Sequence, residues 1–167
     1  AHLICHDGAM AERDGDGFVS CACGRKHWGR FGAAGMLLVR PGTTPSVLLQ
    51  LRAAWTHNGG TWGIPGGAID SHETQQAAAA REAWEEAGIA ATKVTVADMY
   101  VDDHGSWSYA TVIAIAADSL EASSANEESD ATRWVPIDDV DSYDLHPALA
   151  MAWPELVTRA KATLKRR

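Results

Sequence analysis

One stretch constrains this chain more than any other: "GAIDSHETQQAAAAREAWEEAGI", Gly67 to Ile89. A glycine opens it, four alanines occupy 77–80, and Gly88 closes it. Alanine is a strong helix former, so a helix is predicted from about Glu73 to Ala87, with Gly88 as its C′ residue. On a helix, residues three and four apart are neighbours, which brings Glu82, Glu85 and Glu86 together. Like charges at that spacing repel. The face is therefore either simply solvated or occupied by something positive. Clustered carboxylates supply hard oxygen ligands that suit Mg²⁺ or Mn²⁺. A cation there would bridge to phosphate oxygens and lower the pKa of a bound water. Gly66 and Gly67 would let backbone approach a metal or ligand closely.

The spacing is specific. Gly67, Glu73, Arg81, Glu82, Glu85, Glu86 and Gly88, flanked by apolar Ala83 and Ile89, coincide by chance on the order of once in 10⁸ windows. With its lead-in "TWGIPGG", the stretch resembles the signature of the Nudix hydrolases, the MutT-like pyrophosphohydrolases, and every fixed position is present. The resemblance runs over about residues 33–153. It implies that the Gly67 carbonyl ligates metal with Glu82, Glu85 and Glu86, and that Glu82 positions or deprotonates the attacking water. It implies that Glu73 and Arg81 pair and brace the loop–helix–loop. His72 stands where many relatives carry glycine, a position the signature does not fix.

The implied activity is Mg²⁺- or Mn²⁺-dependent hydrolysis of the pyrophosphate of a nucleoside diphosphate-linked substrate, leaning to the 8-oxo-dGTP and 8-oxo-dGDP of oxidised nucleotide pools. The alternative is ADP-ribose or another nucleotide sugar or dinucleotide. A non-catalytic regulator and an isoprenoid diphosphate isomerase are further readings of the same scaffold. An intact carboxylate set, and no room for a typical appended domain, argue against the regulator.

The rest of the chain reads as strands around this helix. Residues 33–40 are a buried strand, and 46–53 alternate, with Val47, Leu49 and Leu51 on one side. Trp62–Ile64 is a short extended piece. "TKVTVADMYVDD" and "WSYATVIAIAAD" pair antiparallel around "DHGS", and "ESDATRWVPI" adds a strand. A last helix begins near Pro147, and Pro154 should kink it or start a second segment. The expected fold is α/β (α+β): a Nudix-like mixed sheet sandwiched between helices, with the loop–helix–loop at 67–89. Residues 31–167 form the Nudix domain. Residues 1–30 are a Cys/His-containing arm or small hairpin, with "DGDG" as a turn.

That arm holds Cys5, Cys21 and Cys23, with His6 and His27 nearby. Three thiolates and one imidazole would suit a structural Zn²⁺; the alternative is a flexible arm with free thiols. Further residues are substrate-side candidates. In relatives an Arg near Arg52 reaches phosphate, although Arg52 also fits an exposed salt bridge. Glu127 and Glu128 lie in a polar loop, where some family members carry an extra base or ligand. Relatives read the oxidised purine with an Asn or Asp before the last helix. Here "VDSYDLHPAL" has no Asn, so Asp144 or His146 would serve, unless both only shape the helix entry. Trp55, Trp62 and Trp107 read as core candidates, and Trp84 as packing on a strand.

The net charge of −8 argues against a broad nucleic-acid or anionic-membrane footprint. No apolar run approaches the roughly 18–20 residues of a membrane span, and no signal peptide is legible. Three cysteines make a poor disulfide framework and fit a reducing cytoplasm. The expected partner is a small-molecule nucleotide, with no membrane or nucleic acid, and with a homodimer left open.

Overall fold

The computed structural model describes residues 13–123 and 125–167. In chain order the elements are β1 (Phe18–Ser20), β2 (Lys26–Trp28), β3 (Ala33–Arg40), β4 (Ser46–Arg52), β5 (Trp62–Gly63), β6 (Gly66–Ala68), α1 (Gln75–Ala87), β7 (Val94–Asp103), β8 (Ser108–Ala116), β9 (Ser129–Pro136) and α2 (Pro147–Lys165). Short 3₁₀ turns at Ala91–Lys93 and Ile137–Ser142 lead into β7 and follow β9.

β1 and β2 form a separate hairpin; the other seven strands form one mixed sheet in the order β5-β4-β3-β8-β7, with β6 on β3 and β9 on β4. β3 runs parallel to β8 over seven residue pairs and is antiparallel to its other partners. Both faces of the sheet are covered, which is why β3 and β8 are apolar almost throughout. Met36, Leu38 and Val112 face the cluster that contains Ala78, Ala79, Ala83 and Ala87 of α1. Leu37, Val39 and Ile113 face the cluster that contains Leu149, Trp153, Leu156 and Ala160 of α2. The switch between neighbours follows the period of two along a strand. Fully burying a side chain such as Leu37 or Leu156 contributes about 1.5–3 kcal/mol.

β4 alternates as expected: Val47 and Leu49 pack towards α2 and Leu48 towards α1, so both of its faces are covered. Other details differ from the sequence expectation. α1 begins at Gln75, two residues late, because Thr74 caps it by accepting from the Ala77 amide at 3.1 Å. Of the two alternatives at Pro154, the second segment does not hold: α2 is one helix through that residue, with Trp153 and Leu156 packed on one side of the sheet. The "DGDG" segment is not the hairpin turn; the turn is Cys21–Arg25, where the Cys21 amide donates to the Arg25 carbonyl at 2.9 Å. At its other end, α1 stops as expected: Gly88 sits at φ 66°, left-handed, and its N–H returns to Ala83 and Trp84 carbonyls.

Candidate active site

The small alanines of α1 let it lie close to the sheet and carry Glu82 and Glu86 inward with them. Both carboxylates are almost fully buried, at 5% and 4% exposure, while Glu85 is half-buried. Each meets a different group. The Glu82 carboxylate lies against Gly67 on β6: a Cβ at that position would stand 2.5 Å from Glu82 Oε1. Glu86 accepts a short hydrogen bond from Gln50 Nε2 on β4. The Gln50 amide oxygen, Oε1, is buried without a partner among the described residues.

Two arginines offset this negative charge. Arg81 donates from Nε to Glu73 Oε1 at 2.6 Å and from NH1 to Glu82 Oε1 at 2.6 Å. Its NH2 reaches Glu73 Oε2 at 3.0 Å and the Ala68 carbonyl at 2.9 Å. Glu73, left outside the helix by the late start of α1, also accepts from the Asp70 amide at 3.1 Å. Glu73, Arg81 and Glu82 thus tie the loop, the helix and the end of β6 together. The second arginine is Arg13, which stands 3.2 Å from Asp70, 3.4 Å from Glu82 and 3.3 Å from Glu85. Beside it, Asp14 accepts from the Ser71 amide at 2.8 Å and Gly15 donates to Asp70 at 2.8 Å. The segment preceding β1 is therefore laid along the carboxylate-bearing loop.

The electrostatics follow from burial. Desolvation pushes the Glu82 carboxyl above the usual range, against the opposing pull of Arg81. Burial pushes Glu86 up to about 8, only partly offset by the Gln50 hydrogen bond. Glu73 shifts the other way, because hydrogen bonding to Arg81 favours its charged form. The Glu82 carboxylate against Gly67, with Glu86 buried and Glu85 half-buried on the same helix, offers hard oxygens of the kind that fit Mg²⁺ or Mn²⁺.

The residues singled out on the substrate side lie at the far end of β4. Arg52 Nε is engaged by the His57 carbonyl at 3.0 Å. The Glu128 carbonyl accepts from the Ala53 amide at 2.9 Å, and its carboxylate is one of the charges that raise Glu86. The exposed Asp144 takes part through its backbone, accepting from the Trp62 amide at 2.8 Å. His146 donates its own amide to the Trp62 carbonyl at 2.8 Å. Its ring Nδ1 accepts from Ala148 at 3.1 Å, capping α2, while Nε2 meets the Asn58 side chain at 3.2 Å. Burial, then the charges of Arg52 and His57, push His146 down to about 4, so the ring is neutral at pH 7.

Asn58, Gln50 and Arg13 were not singled out from the sequence as site residues. Asn58 does form a turn, at φ 55°, but the same turn presents its amide to His146. Of the tryptophans, Trp62 and Trp107 are partly buried. Trp55 and Trp84 are exposed, at 70% and 60%, and belong to no core. Of the expected zinc ligands, Cys5 and His6 lie outside the described residues. Cys21, Cys23 and His27 converge, and they do so with His104.

Comparison with known proteins agrees with the geometry. The NUDIX domain model matches residues 29–156. A Mycobacterium tuberculosis protein described as "Putative 8-oxo-dGTP diphosphatase 3" is 48% identical over 159 residues, covering 90% of this chain and 72% of that protein. A Bifidobacterium longum nucleoside triphosphate pyrophosphatase/Nudix hydrolase fusion protein is 46% identical over 151 residues, covering 87% of this chain and 31% of its own length. The crystal structure of RenU, a Nudix hydrolase from M. smegmatis, superposes with a TM-score of 0.81 at 46% identity, covering 90% of this chain and 97% of that one. The matched domain, the close relatives and the shared sheet place this chain in the Nudix family, as a Nudix-type pyrophosphohydrolase.

Proposed function

We infer that the enzyme hydrolyses the pyrophosphate bond of an oxidised guanine nucleotide, 8-oxo-dGTP or 8-oxo-dGDP, with Mg²⁺ or Mn²⁺. The observation that supports the chemistry is the buried Glu82 carboxylate set against Gly67, with Glu85 and Glu86 on the same helix. Those four residues would hold the cation. When bound, it would draw the phosphate oxygens into the cluster and lower the pKa of a water.

The remaining roles fall to the chain's own groups. Glu82, more basic than an ordinary carboxylate because it is desolvated, orients the attacking water and accepts its proton. The oxygen of that water forms the new bond to phosphorus, and the bridging P–O bond breaks to release the two phosphorylated products. Arg81 fixes Glu82 through a 2.6 Å bond and is itself fixed by Glu73. Arg52 and Glu128 flank the cluster on the substrate side.

The substrate assignment rests on the M. tuberculosis relative and on polar groups available to a purine edge. His146, with both ring nitrogens engaged, braces the Asn58 side chain at 3.2 Å, and the Asn58 amide keeps further hydrogen-bonding capacity. A site that reads a distinguishing group by hydrogen bonds can discriminate by about 10⁴, against roughly 10–200-fold for shape alone. The test is kcat/KM for 8-oxo-dGTP, 8-oxo-dGDP, dGTP and ADP-ribose under one set of conditions with Mg²⁺. An oxidised guanine nucleotide should be preferred to dGTP. A tenfold advantage for ADP-ribose would replace the substrate and leave the hydrolytic chemistry standing.

A further inference from the structure

A second cluster lies away from the carboxylates. Cys21 and Cys23 sit in the β1–β2 turn and His27 follows on β2. His104 comes from the β7–β8 turn, far along the chain. One ligand-type atom from each of these four residues lies within 4.8 Å of the others. Cys23 Sγ is 3.1 Å from His27 Nε2. The two imidazoles meet edge to face, with ring centroids 4.7 Å apart. We propose that Cys21, Cys23, His27 and His104 bind one zinc ion, which pins the N-terminal hairpin to the β7–β8 turn.

Two thiolates and two imidazoles are a closed tetrahedral set of the kind structural zinc takes. Soft sulfur excludes Mg²⁺ and Ca²⁺ as the preferred occupant. The surroundings are also those of a metal site. Asp102 Oδ2 lies 3.0 Å from His104 Nε2, so a carboxylate can fix the ring's tautomer and orientation. Ser106 Oγ lies 3.5 Å from Cys21 Sγ. Trp107 stacks on His27 at 4.1 Å with its plane tilted by 8°, and donates its indole N–H to the Gly29 carbonyl at 3.1 Å. The Ala22 amide donates to Ser106 Oγ at 2.9 Å. Both turns are therefore already held in register, and binding requires loss of the two thiol protons, including the one Cys21 Sγ directs at the His104 carbonyl at 3.3 Å.

The site differs from one completed by Cys5. His104 is the fourth ligand, and the arm ahead of Arg13 is not required. Its position also gives it a structural role. The hairpin follows directly on the Arg13–Gly15 segment that lies along the carboxylate-bearing loop. Fixing the hairpin on the β7–β8 turn limits how far that segment can move.

The experiment uses the full chain, purified without chelator and assayed for zinc by elemental analysis. About one zinc per chain is expected in excess of any held by the carboxylates. The chain stripped of metal is then loaded with one equivalent of Co²⁺. A thiolate-to-cobalt charge-transfer band, with the intense visible bands of four-coordinate cobalt, is expected; the carboxylate cluster has no sulfur and cannot produce it. Cys23→Ser and His104→Ala, both at turn positions, should abolish the band, while Cys5→Ser should keep it. Zinc below about a tenth of an equivalent, with no charge-transfer band on loading, would overturn the site. So would a band that survives Cys23→Ser and His104→Ala, or one lost in Cys5→Ser.

Discussion

Arg81 holds Glu73 with two nitrogens, Nε at 2.6 Å from one carboxylate oxygen and NH2 at 3.0 Å from the other. The pair joins the loop before α1 to the middle of the helix. A third nitrogen, NH1, fixes Glu82. Lysine carries the charge but not the planar fork. Arg81→Lys should therefore lower kcat on the order of 10–100-fold, the usual cost of losing a group that orients a metal ligand. Steady-state kinetics at saturating Mg²⁺ check this, and a thermal melt shows whether the fold is kept.

Gly67 is constrained by contact and not by backbone conformation. An added methyl would stand 2.5 Å from Glu82 Oε1 and 2.7 Å from its carboxyl carbon. The Glu82 side chain must then move away from Gly67, or β6 must shift. Gly67→Ala should weaken the apparent Mg²⁺ affinity by at least about tenfold, for a stability cost of about 1–3 kcal/mol. Mg²⁺ titration of activity, together with denaturant unfolding of the metal-free protein, separates the two effects.

If Glu86 ligates the cation as proposed, metal binding should be coupled to pH. The folded-state pKa of Glu86, about 8, lies above the ordinary carboxylate value because of burial. The sign follows: in the metal-free protein its contribution to stability is fully present below the ordinary value and is lost as pH rises through about 8. Mg²⁺ must displace the proton, so its affinity should rise by up to about tenfold per pH unit towards pH 8. The gain in Tm on adding Mg²⁺ should be larger at about pH 8.5 than at about pH 6. Glu86→Gln should flatten that dependence. Equal gains at both pH values would contradict the coupling.

Much of this was legible in the sequence because the carboxylate-bearing stretch is local. Glu73, Arg81, Glu82, Glu85, Glu86 and Gly88 are placed by one helix and its caps, so spacing alone brings them together. β3 and the β7–β8 pair were legible for the same reason: their apolar runs and the turn between β7 and β8 are continuous in the chain. The groups that were missed act at a distance. Arg13 reaches Glu82 across 69 residues, Gln50 reaches Glu86 across 36, and Asn58 reaches His146 across 88. No local spacing encodes such contacts; only the sheet order does. His104 illustrates it well, since a histidine in a turn carries no metal signal until β7–β8 is set beside the hairpin. Trp55 and Trp84 mislead in the other direction: size and apolarity suggest a core, yet each falls on an outward-facing position.

The central claim is that the carboxylate cluster on α1 performs metal-dependent hydrolysis, and Glu82→Gln tests it most directly. The substitution keeps the shape of the side chain and removes its charge and basicity. Chelated wild-type enzyme should be inactive on its best nucleotide substrate and regain full turnover with Mg²⁺. Under the same conditions Glu82→Gln should show kcat lower by about 10²–10⁴-fold, with an unchanged fold by circular dichroism. A Glu82→Gln enzyme with wild-type kcat, or turnover that survives chelation, would contradict the account.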